Sequence, residues 1–309
     1  MSFPIVSNNT FYSLGRNNCS LRNAGEWDNV HFIEKGISLS ADKTINSLAY
    51  NSGETAPYPN NLVLGAGRTL TIRSGGLIMA RTGRWLGCTQ TSKFAENGTV
   101  AFGGKHAYVF SDFGIANGDN GNEYNAIFAS MVATNGWVKG GCGELVIAAD
   151  QRGIDGTVWV NGGTLWLGHP AFYRQKGWIY TQNSSDIPAR GCAMDVERFS
   201  VHAGGVLGVP LPGYDADGNG TVGVNETAIP KDAVIELTDN LAGPAKVEIA
   251  PRADQTCLKL FVNGRSLPRG TYGASGSDAE FADDVHFAGT GVLTVRTDEL
   301  RRPTIVILM

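Results

Sequence analysis

Acidic and amide side chains between Asp215 and Glu226 are spaced like the ligands of a hard cation. The stretch reads DADGNGTVGVNE, in which Gly220 holds the sixth position, where a calcium loop turns sharply. Ca²⁺ takes about six to eight oxygen ligands. The spacing predicts side-chain oxygen ligands from Asp215, Asp217 and Asn219. Thr221 would supply a backbone carbonyl, Gly223 would lie beside a bound water, and Glu226 would supply a bidentate carboxylate. The sequence therefore predicts a Ca²⁺ site.

The residues around this stretch do not favour helices. Pro210, Pro212 and Gly213 precede it, and Pro230 follows it. The stretch therefore resembles the calcium loops of EF-hand and dockerin modules in its ligand positions only. We expect the ion to staple an inserted loop, residues 211–230, rather than to open a pair of helices. The alternative is a surface turn rich in Asp, Gly and Asn that holds no ion.

Glycine pairs recur along the chain within similar short motifs. WVKGG ends at Gly141 and WVNGG ends at Gly163, while looser copies, IRSGGLI and VHAGGVL, contain glycine pairs that begin at Gly75 and Gly204. The intervals between these pairs are close to multiples of about 21 to 22 residues. A fixed period in this range is typical of a solenoid, in which each coil buries its apolar edge against its neighbours.

Short strands fill the period, and no helical pattern is long enough to replace them. Segments such as Leu62 to Leu64, Val234 to Leu237 and Val292 to Val295 are rich in β-branched residues and bounded by turn formers. The fold class predicted is all-β, a single-stranded, right-handed parallel β-helix of about 21 to 22 residues per coil with the calcium loop inserted. The paired glycines would form its corners, where residues with a Cβ are resisted. The predicted division is residues 1–60 as the N-terminal cap and first coils, 61–210 as coils, 211–230 as the calcium loop and 231–309 as a C-terminal strand segment.

Aromatic residues recur at the same interval. Trp137 and Trp159 lie one period apart, and Trp178 and Tyr180 lie close to one further period. Because Trp159 and Trp166 alternate with aliphatic residues, the pattern places the tryptophans on the outer face as an aromatic ladder. Such a ladder would contact a glycan or a neighbouring subunit. The alternative is a structural role, since stacked like residues stabilise successive coils.

Composition excludes several classes of partner. A net charge of −4 gives no basic footprint for nucleic acid. No apolar run approaches the length of a membrane span. Five cysteines are scattered without metal-binding or redox spacing, so we expect isolated buried thiols.

The C-terminal third carries a family resemblance. Leu260 to Gly264 (LFVNG), Arg269 to Gly273 (RGTYG) and Asp284 to Val295 (DVHFAGTGVLTV) resemble the closing segment of bacterial proteins built from autotransporter-associated β-strand repeats. Gly143 to Ile147 and Val160 to Leu167 are similar to the repeat itself. The resemblance implies a secreted or cell-surface, right-handed β-helix that serves in adhesion, display or scaffolding.

The chain ends on an apolar, β-rich tail. Because an open end of a coil stack exposes unpaired backbone groups, this tail would add a strand to another copy and build a head-to-tail filament. The strand predicted to assemble comprises Ile305, Val306, Ile307 and Leu308. The alternative is that the tail is the last strand of its own helix. The function expected is therefore structural or adhesive, with the protein itself as the partner and a glycan as a second candidate partner.

Two further functions stay open. A polysaccharide-degrading enzyme would need converging carboxylates or a base. The candidates are Asp283, Asp284 and His286, and a second cluster of Asp195, Glu197 and Arg198. Adjacent residues on a strand point to opposite faces, so solvated turn charges explain both clusters more simply. The third possibility is a carbohydrate-binding module without activity.

Overall fold

The computed structural model of the protein describes residues 21–32, 37–50, 60–79, 84–86, 98–104, 106–111, 125–127, 129–147, 153–168, 195–209, 228–251 and 253–297. Within these ranges every regular element is a β-strand. The described part of the chain accordingly holds no helix that is long and apolar enough to cross a membrane.

The first fifteen strands occupy the N-terminal half. In chain order they are β1 (Asn29–Phe32), β2 (Ile37–Leu39), β3 (Lys43–Ile45), β4 (Ser47–Tyr50), β5 (Asn60–Leu64), β6 (Thr69–Ile72), β7 (Gly76–Met79), β8 (Arg84–Leu86), β9 (Thr99–Ala101), β10 (Ala107–Ser111), β11 (Asn125–Ile127), β12 (Ser130–Ala133), β13 (Trp137–Gly140), β14 (Glu144–Ile147) and β15 (Gly153–Ile154).

The remaining strands continue to residue 295. They are β16 (Thr157–Val160), β17 (Gly163–Leu167), β18 (Arg198–His202), β19 (Gly205–Val209), β20 (Val234–Thr238), β21 (Lys246–Ile249), β22 (Gln255–Cys257), β23 (Lys259–Val262), β24 (Arg265–Ser266), β25 (Gly270–Gly273), β26 (Phe281–Ala282), β27 (Phe287–Gly289) and β28 (Leu293–Val295).

These strands form four sheets. Sheet A has ten strands in the order β1-β4-β7-β10-β13-β16-β18-β20-β23-β24, and sheet B has nine in the order β2-β5-β8-β11-β14-β17-β19-β21-β27. Sheet C has five in the order β15-β12-β9-β6-β3. Sheet D has four in the order β22-β28-β25-β26. Sheets A, B and C are parallel throughout, apart from the antiparallel β24 at the end of sheet A.

The order of visits to the sheets repeats along the chain. From β1 to β14 each strand pairs in parallel with the strand three places later, so the chain passes through sheets A, B and C in turn. From β16 to β21 sheets A and B alternate without sheet C. The fold is therefore all-β with long parallel sheets, as predicted, and is compatible with a solenoid.

The interior is one continuous apolar cluster that receives buried residues from most of the strands. Inward side chains of sheet A stack over one another in rows, and sheets B and C add rows of their own. One such row, read through the registers of β16, β18, β20 and β23, is Val158, Phe199, Ile235 and Leu260. Neighbouring strands therefore place their buried side chains next to one another along the sheet.

The spacing between paired residues is not the uniform period predicted. Asn29 pairs with Ser47, and Leu165 pairs with Leu207. The number of residues between the second pair is more than twice that between the first. Trp137 and its partner Val158 do stand at the predicted interval. The longer intervals place their extra residues between strands, where insertion costs little because loop-closure entropy rises slowly with length. The prediction of one fixed coil length is thus wrong for most of the stack.

The paired glycines do lie where the chain turns between strands. Gly141 follows β13 and has a φ of 82°, and Gly163 begins β17 and has a φ of 59°. Both lie at turns from sheet A to sheet B. A Cβ on Gly163 would come within 2.2 Å of the Gly143 carbonyl oxygen on the preceding coil. The predicted need for glycine at corners is therefore confirmed, and close backbone approach is its cause.

The C-terminal end of the described stack departs from parallel pairing. β23 and β24 form an antiparallel hairpin whose two turn residues, Asn263 and Gly264, have φ of 51° and 76°. In sheet D, β25 runs antiparallel to β28. The buried Tyr272 ring stacks on Phe281 and Phe287, at centroid distances of 5.0 and 6.1 Å. These antiparallel pairs cover the last parallel strands of the described stack.

Candidate functional sites

The predicted calcium ligands, from Asp215 to Glu226, lie outside the described residues. So do Trp178, Tyr180 and the assembly strand of Ile305 to Leu308. Among the residues that the structure does describe, no group of three or more His, Cys, Asp and Glu side chains could hold a metal ion. The three sets therefore remain predictions.

Trp137 does not belong to an outer ladder. It is fully buried in the core, and its register partner on β16 is Val158, whereas Trp159 pairs with Val138. Matching WVKGG to WVNGG by sequence shifts the register by one residue, and such a slip exchanges the two faces of a strand. The predicted outward position of Trp137 is thus wrong.

Trp166 is also buried, although it does alternate with Leu165 and Leu167. Its ring lies against Gly208, where an added Cβ would come within 2.4 Å of the ring, and its Nε1 donates to Glu144 Oε2 at 3.1 Å. β14 and β17 are buried on both faces. Alternation therefore identified the face of Trp166 but not its burial.

Trp159 is the predicted tryptophan that does lie on the outer face of sheet A. It shares that face with Tyr108 and Phe110 of β10, and His106 lies just before that strand. We call these four residues the aromatic surface: His106, Tyr108, Phe110 and Trp159. Trp159 meets His106 edge to face, with ring centroids 5.7 Å apart, and His106 meets Tyr108 at 6.2 Å. Tyr108 and Phe110 expose 46% and 37% of their area.

Glycines of the intervening segment let these rings lie against the sheet. A Cβ on Gly136 would come within 2.7 Å of the Trp159 ring, and one on Gly141 would come within 3.2 Å of the Phe110 ring. Both rings therefore lie across β13 from opposite sides. Val138 stands between them, in the same cross-strand row as Tyr108 and Trp159. The rings of the aromatic surface therefore lie next to Gly136, Val138 and Gly141 of the β13 segment.

The nearest charges along that row neutralise one another. The row continues from Trp159 through Ser200 to Glu236. Arg198 Nη1 donates to Glu236 Oε2 at 2.8 Å, so the two side chains form an ion pair. The aromatic surface contains no carboxylate, ammonium or guanidinium group. The aromatic surface therefore offers a ligand aromatic rings, a hydroxyl group and an imidazole group, and not a cluster of like charges.

The acidic candidates near the C-terminus form a different kind of cluster. His286 Nδ1 lies 2.7 Å from Asp283 Oδ2, and His286 Nε2 lies 3.0 Å from Asp239 Oδ2. Asn263 Nδ2 donates to the same Asp239 oxygen at 2.8 Å. Asp239 follows β20 and Asn263 follows β23, while His286 precedes β27, so the cluster ties sheet A to sheet B at this end.

The pKa values of this cluster move toward the charged forms. Burial lowers the pKa of His286, but hydrogen bonds and charge from Asp239 and Asp283 outweigh it and raise the pKa. Burial raises the pKa of both carboxyls, but their contacts with His286 outweigh it and lower them. With both ring nitrogens engaged by carboxylates, the imidazolium is a clamp rather than an available general base.

The other acidic candidates do not join the His286 cluster. Asp284 Oδ1 accepts from the Ser275 backbone N–H at 2.7 Å in a surface turn. In the second cluster, Arg198 bonds Glu236 on the adjoining strand, while Asp195 is exposed and Glu197 is likewise exposed just before β18. Among these described candidates, Asp283 alone shares a partner, His286, with a second carboxylate, that of Asp239.

Sequence reasoning missed a buried lysine. Lys139 lies inside the stack, and its Nζ donates to three backbone carbonyls, those of Gly141, Gly143 and Gly162, at 2.9, 2.5 and 2.5 Å. Burial lowers its pKa to about 8, although nearby Cys142 and Glu144 act to raise it. The available signal was its place two residues after an inward Trp137, next to a turn whose glycines leave carbonyls exposed to it.

Two of the five cysteines lie in the described residues, and neither forms a disulfide. Cys257 is buried, and burial raises its pKa to about 12. Cys142 is exposed at the turn after β13, so the expectation of a buried thiol is wrong for it.

Searches against protein-family models, curated proteins and solved structures return no match to this chain.

Proposed function

We propose that this protein is a right-handed parallel β-helix that serves a structural or adhesive role at the cell surface. The observation that carries the proposal is the pairing of each strand from β1 to β14 with the strand three places later. A chain that returns to the same sheet in this way stacks coils into a rod with a continuous core. Rods of this kind present long outer faces and suit display and contact.

The hand of the coil follows from a general rule. A strand joined by a crossover to a parallel neighbour in the same sheet turns right-handed in about 98% of cases. Every return from sheet A through sheet B to sheet A is such a crossover. The resemblance to autotransporter-associated repeats implies the same hand, and its quoted segments coincide with β23, β25, β27 and β28.

Calcium and self-assembly complete the proposal. The oxygen ligands between Asp215 and Glu226 would hold Ca²⁺ and order the connection between β19 and β20. Residues Ile305 to Leu308 would add a strand to another copy. Because the described C-terminal end carries the antiparallel β24 and β25, a donated strand would have to pair beside them.

One imaging experiment tests assembly and the ion together. Purified protein is stained and imaged with chelator and with millimolar Ca²⁺, alongside a variant that lacks residues 305–309 and the variant Glu226→Ala. The proposal expects filaments in Ca²⁺, shorter or fewer filaments with Glu226→Ala, and none after the deletion. Filaments that persist in the deletion variant would refute strand donation. Calorimetric titration that yields no heat at millimolar Ca²⁺ would refute the ion site.

A further inference from the structure

We propose that the aromatic surface of His106, Tyr108, Phe110 and Trp159 is a binding site for a neutral glycan chain. This is a function beyond the proposed structural role, and it does not depend on that role. The argument begins with how the rings are held. Trp159 and Phe110 lie against glycines at the two ends of β13, Gly136 and Gly141, so both rings are in close contact with the sheet.

The geometry of the surface suits a chain of sugar rings. Tyr108, Val138 and Trp159 lie in one row across β10, β13 and β16. Two strand spacings, about 9.6 Å, therefore separate the aromatic residues at the two ends of the row. The row runs along the axis of the coil stack, so successive sugars can contact successive aromatic rings.

The chemistry of the surface selects the ligand. An aromatic face carries partial negative charge and attracts polarised C–H groups, which one face of a pyranose ring supplies. The hydroxyl of Tyr108 and the imidazole of His106 can exchange hydrogen bonds with sugar hydroxyls. Glu236, the charged residue in this row, forms an ion pair with Arg198, so this pair presents little net charge to a charged polymer.

Other occupants fit less well. The exposed parts of Tyr108 and Phe110 amount to roughly 150 to 200 Å², given typical areas of aromatic side chains. A stable dimer buries about 800 Å² on each partner. A peptide that adds a strand needs an open sheet edge, whereas β10, β13 and β16 are each paired on both sides.

Binding is measured by affinity electrophoresis and calorimetry on the full chain. The probes are hexasaccharides of cellulose, xylan, mannan and chitin, with alginate hexasaccharide as the charged comparison. The inference expects at least one neutral probe to bind and alginate to bind at least tenfold more weakly. Tyr108→Ala and Trp159→Ala should each weaken binding at least fivefold.

Trp27→Ala supplies the matched control. Trp27 is 68% exposed, lies under Arg73 and has no ring contact with the residues of the aromatic surface among the described contacts, so its loss should leave sugar binding unchanged. Tyr108 is exposed, so Tyr108→Ala keeps the test valid if Trp159→Ala does not fold. The inference fails if no neutral probe binds, if Tyr108→Ala binds as the parent does, or if the variants change sedimentation instead. Calcium-dependent filaments without sugar binding would refute this site and leave the structural proposal standing.

Discussion

Trp137 pairs with Val158, and Trp159 pairs with Val138, so two tryptophans that begin near-identical motifs project to opposite faces of sheet A. Trp137 joins Lys139 in the core, while Trp159 joins the aromatic surface. The two motifs are 22 residues apart in the sequence, whereas register partners on β13 and β16 are 21 residues apart, which gives the offset of one residue. Because of this shift of one residue in register, the Trp137 side chain packs in the core and the Trp159 side chain lies on the outer face.

The two buried tryptophans should respond differently to loss of their N–H group. Trp137 Nε1 has no hydrogen-bond partner among the described residues, whereas Trp166 Nε1 donates to Glu144. A buried polar group without a partner costs about 1 to 3 kcal/mol. We expect Trp166→Phe to lower the free energy of unfolding by at least about 1 kcal/mol more than Trp137→Phe, measured by urea denaturation. Equal losses would contradict this account of the two indoles.

Lys139 should be essential as a hydrogen-bond donor inside the stack. Lys139→Met keeps much of the apolar stem but leaves the carbonyls of Gly141, Gly143 and Gly162 without the ammonium. We expect a loss of about 2 to 4 kcal/mol in the free energy of unfolding. Lys246→Met, on an outward position of β21, is the control and should stay within about 0.5 kcal/mol. A stable Lys139→Met protein would show that the carbonyls find other donors.

The His286 clamp should make stability depend on pH. The raised pKa of His286 means that its contribution is fully present below the ordinary value of 6.5 and is lost as pH rises through the folded value. The lowered pKa values of Asp239 and Asp283 mean that theirs is present above the ordinary 3.8 and is lost as pH falls. Stability from this cluster should therefore be greatest between these two ordinary values.

Urea denaturation from pH 4 to 9 measures this profile. His286→Gln should be less stable than the parent near pH 5, and the difference should shrink at pH 9. His202→Gln is the control, because His202 is exposed and meets only the Ser200 hydroxyl among the described contacts. If the difference between His286→Gln and the parent stayed constant with pH, the imidazolium would not be the stabilising form.

Close approach at the corner between sheets A and B predicts a strict requirement for glycine. Gly163→Ala should lower the free energy of unfolding by more than about 2 kcal/mol, because the new Cβ meets the Gly143 carbonyl at a position with φ of 59°. Gly276→Ala is the control, since its Cβ would meet nothing closer than Thr290 Cγ2 at 3.7 Å. Thermal unfolding followed by circular dichroism compares the two. A Gly163→Ala protein as stable as the control would rule out this contact.

Local pattern was enough to predict much of the fold. Alternation in Val158 to Val160 and glycines at Gly141 and Gly163 both reflect short-range rules, and both match the structure. Coil length could not be predicted in this way, because residues added between strands leave the strand pattern unchanged. Leu165 and Leu207 are register partners, yet the long segment between them gives no local sign that they are neighbours.

The sites show the same limit. Burial of Trp166 depends on what covers the outer face of sheet B, which alternation along β17 does not reveal. Lys139 is inside because three carbonyls meet there, two from its own turn and one from Gly162 on the next coil. Asp239 and His286 stand 47 residues apart and meet only through the stacking of coils. Contacts of this kind follow from register, which a single sequence specifies weakly.

Disulfide trapping tests the stacking register most directly. Thr99 on β9 and Ser130 on β12 are register partners on the outer side of sheet C, and adjacent strands lie about 4.8 Å apart, within reach of a disulfide. With the five native cysteines replaced, Thr99→Cys with Ser130→Cys should form an intramolecular disulfide on mild oxidation, read as a mass loss of about 2 Da. Thr99→Cys with Val132→Cys, displaced by two residues, should not. Cross-linking of the displaced pair alone, or of neither pair, would contradict the coil-on-coil arrangement described above.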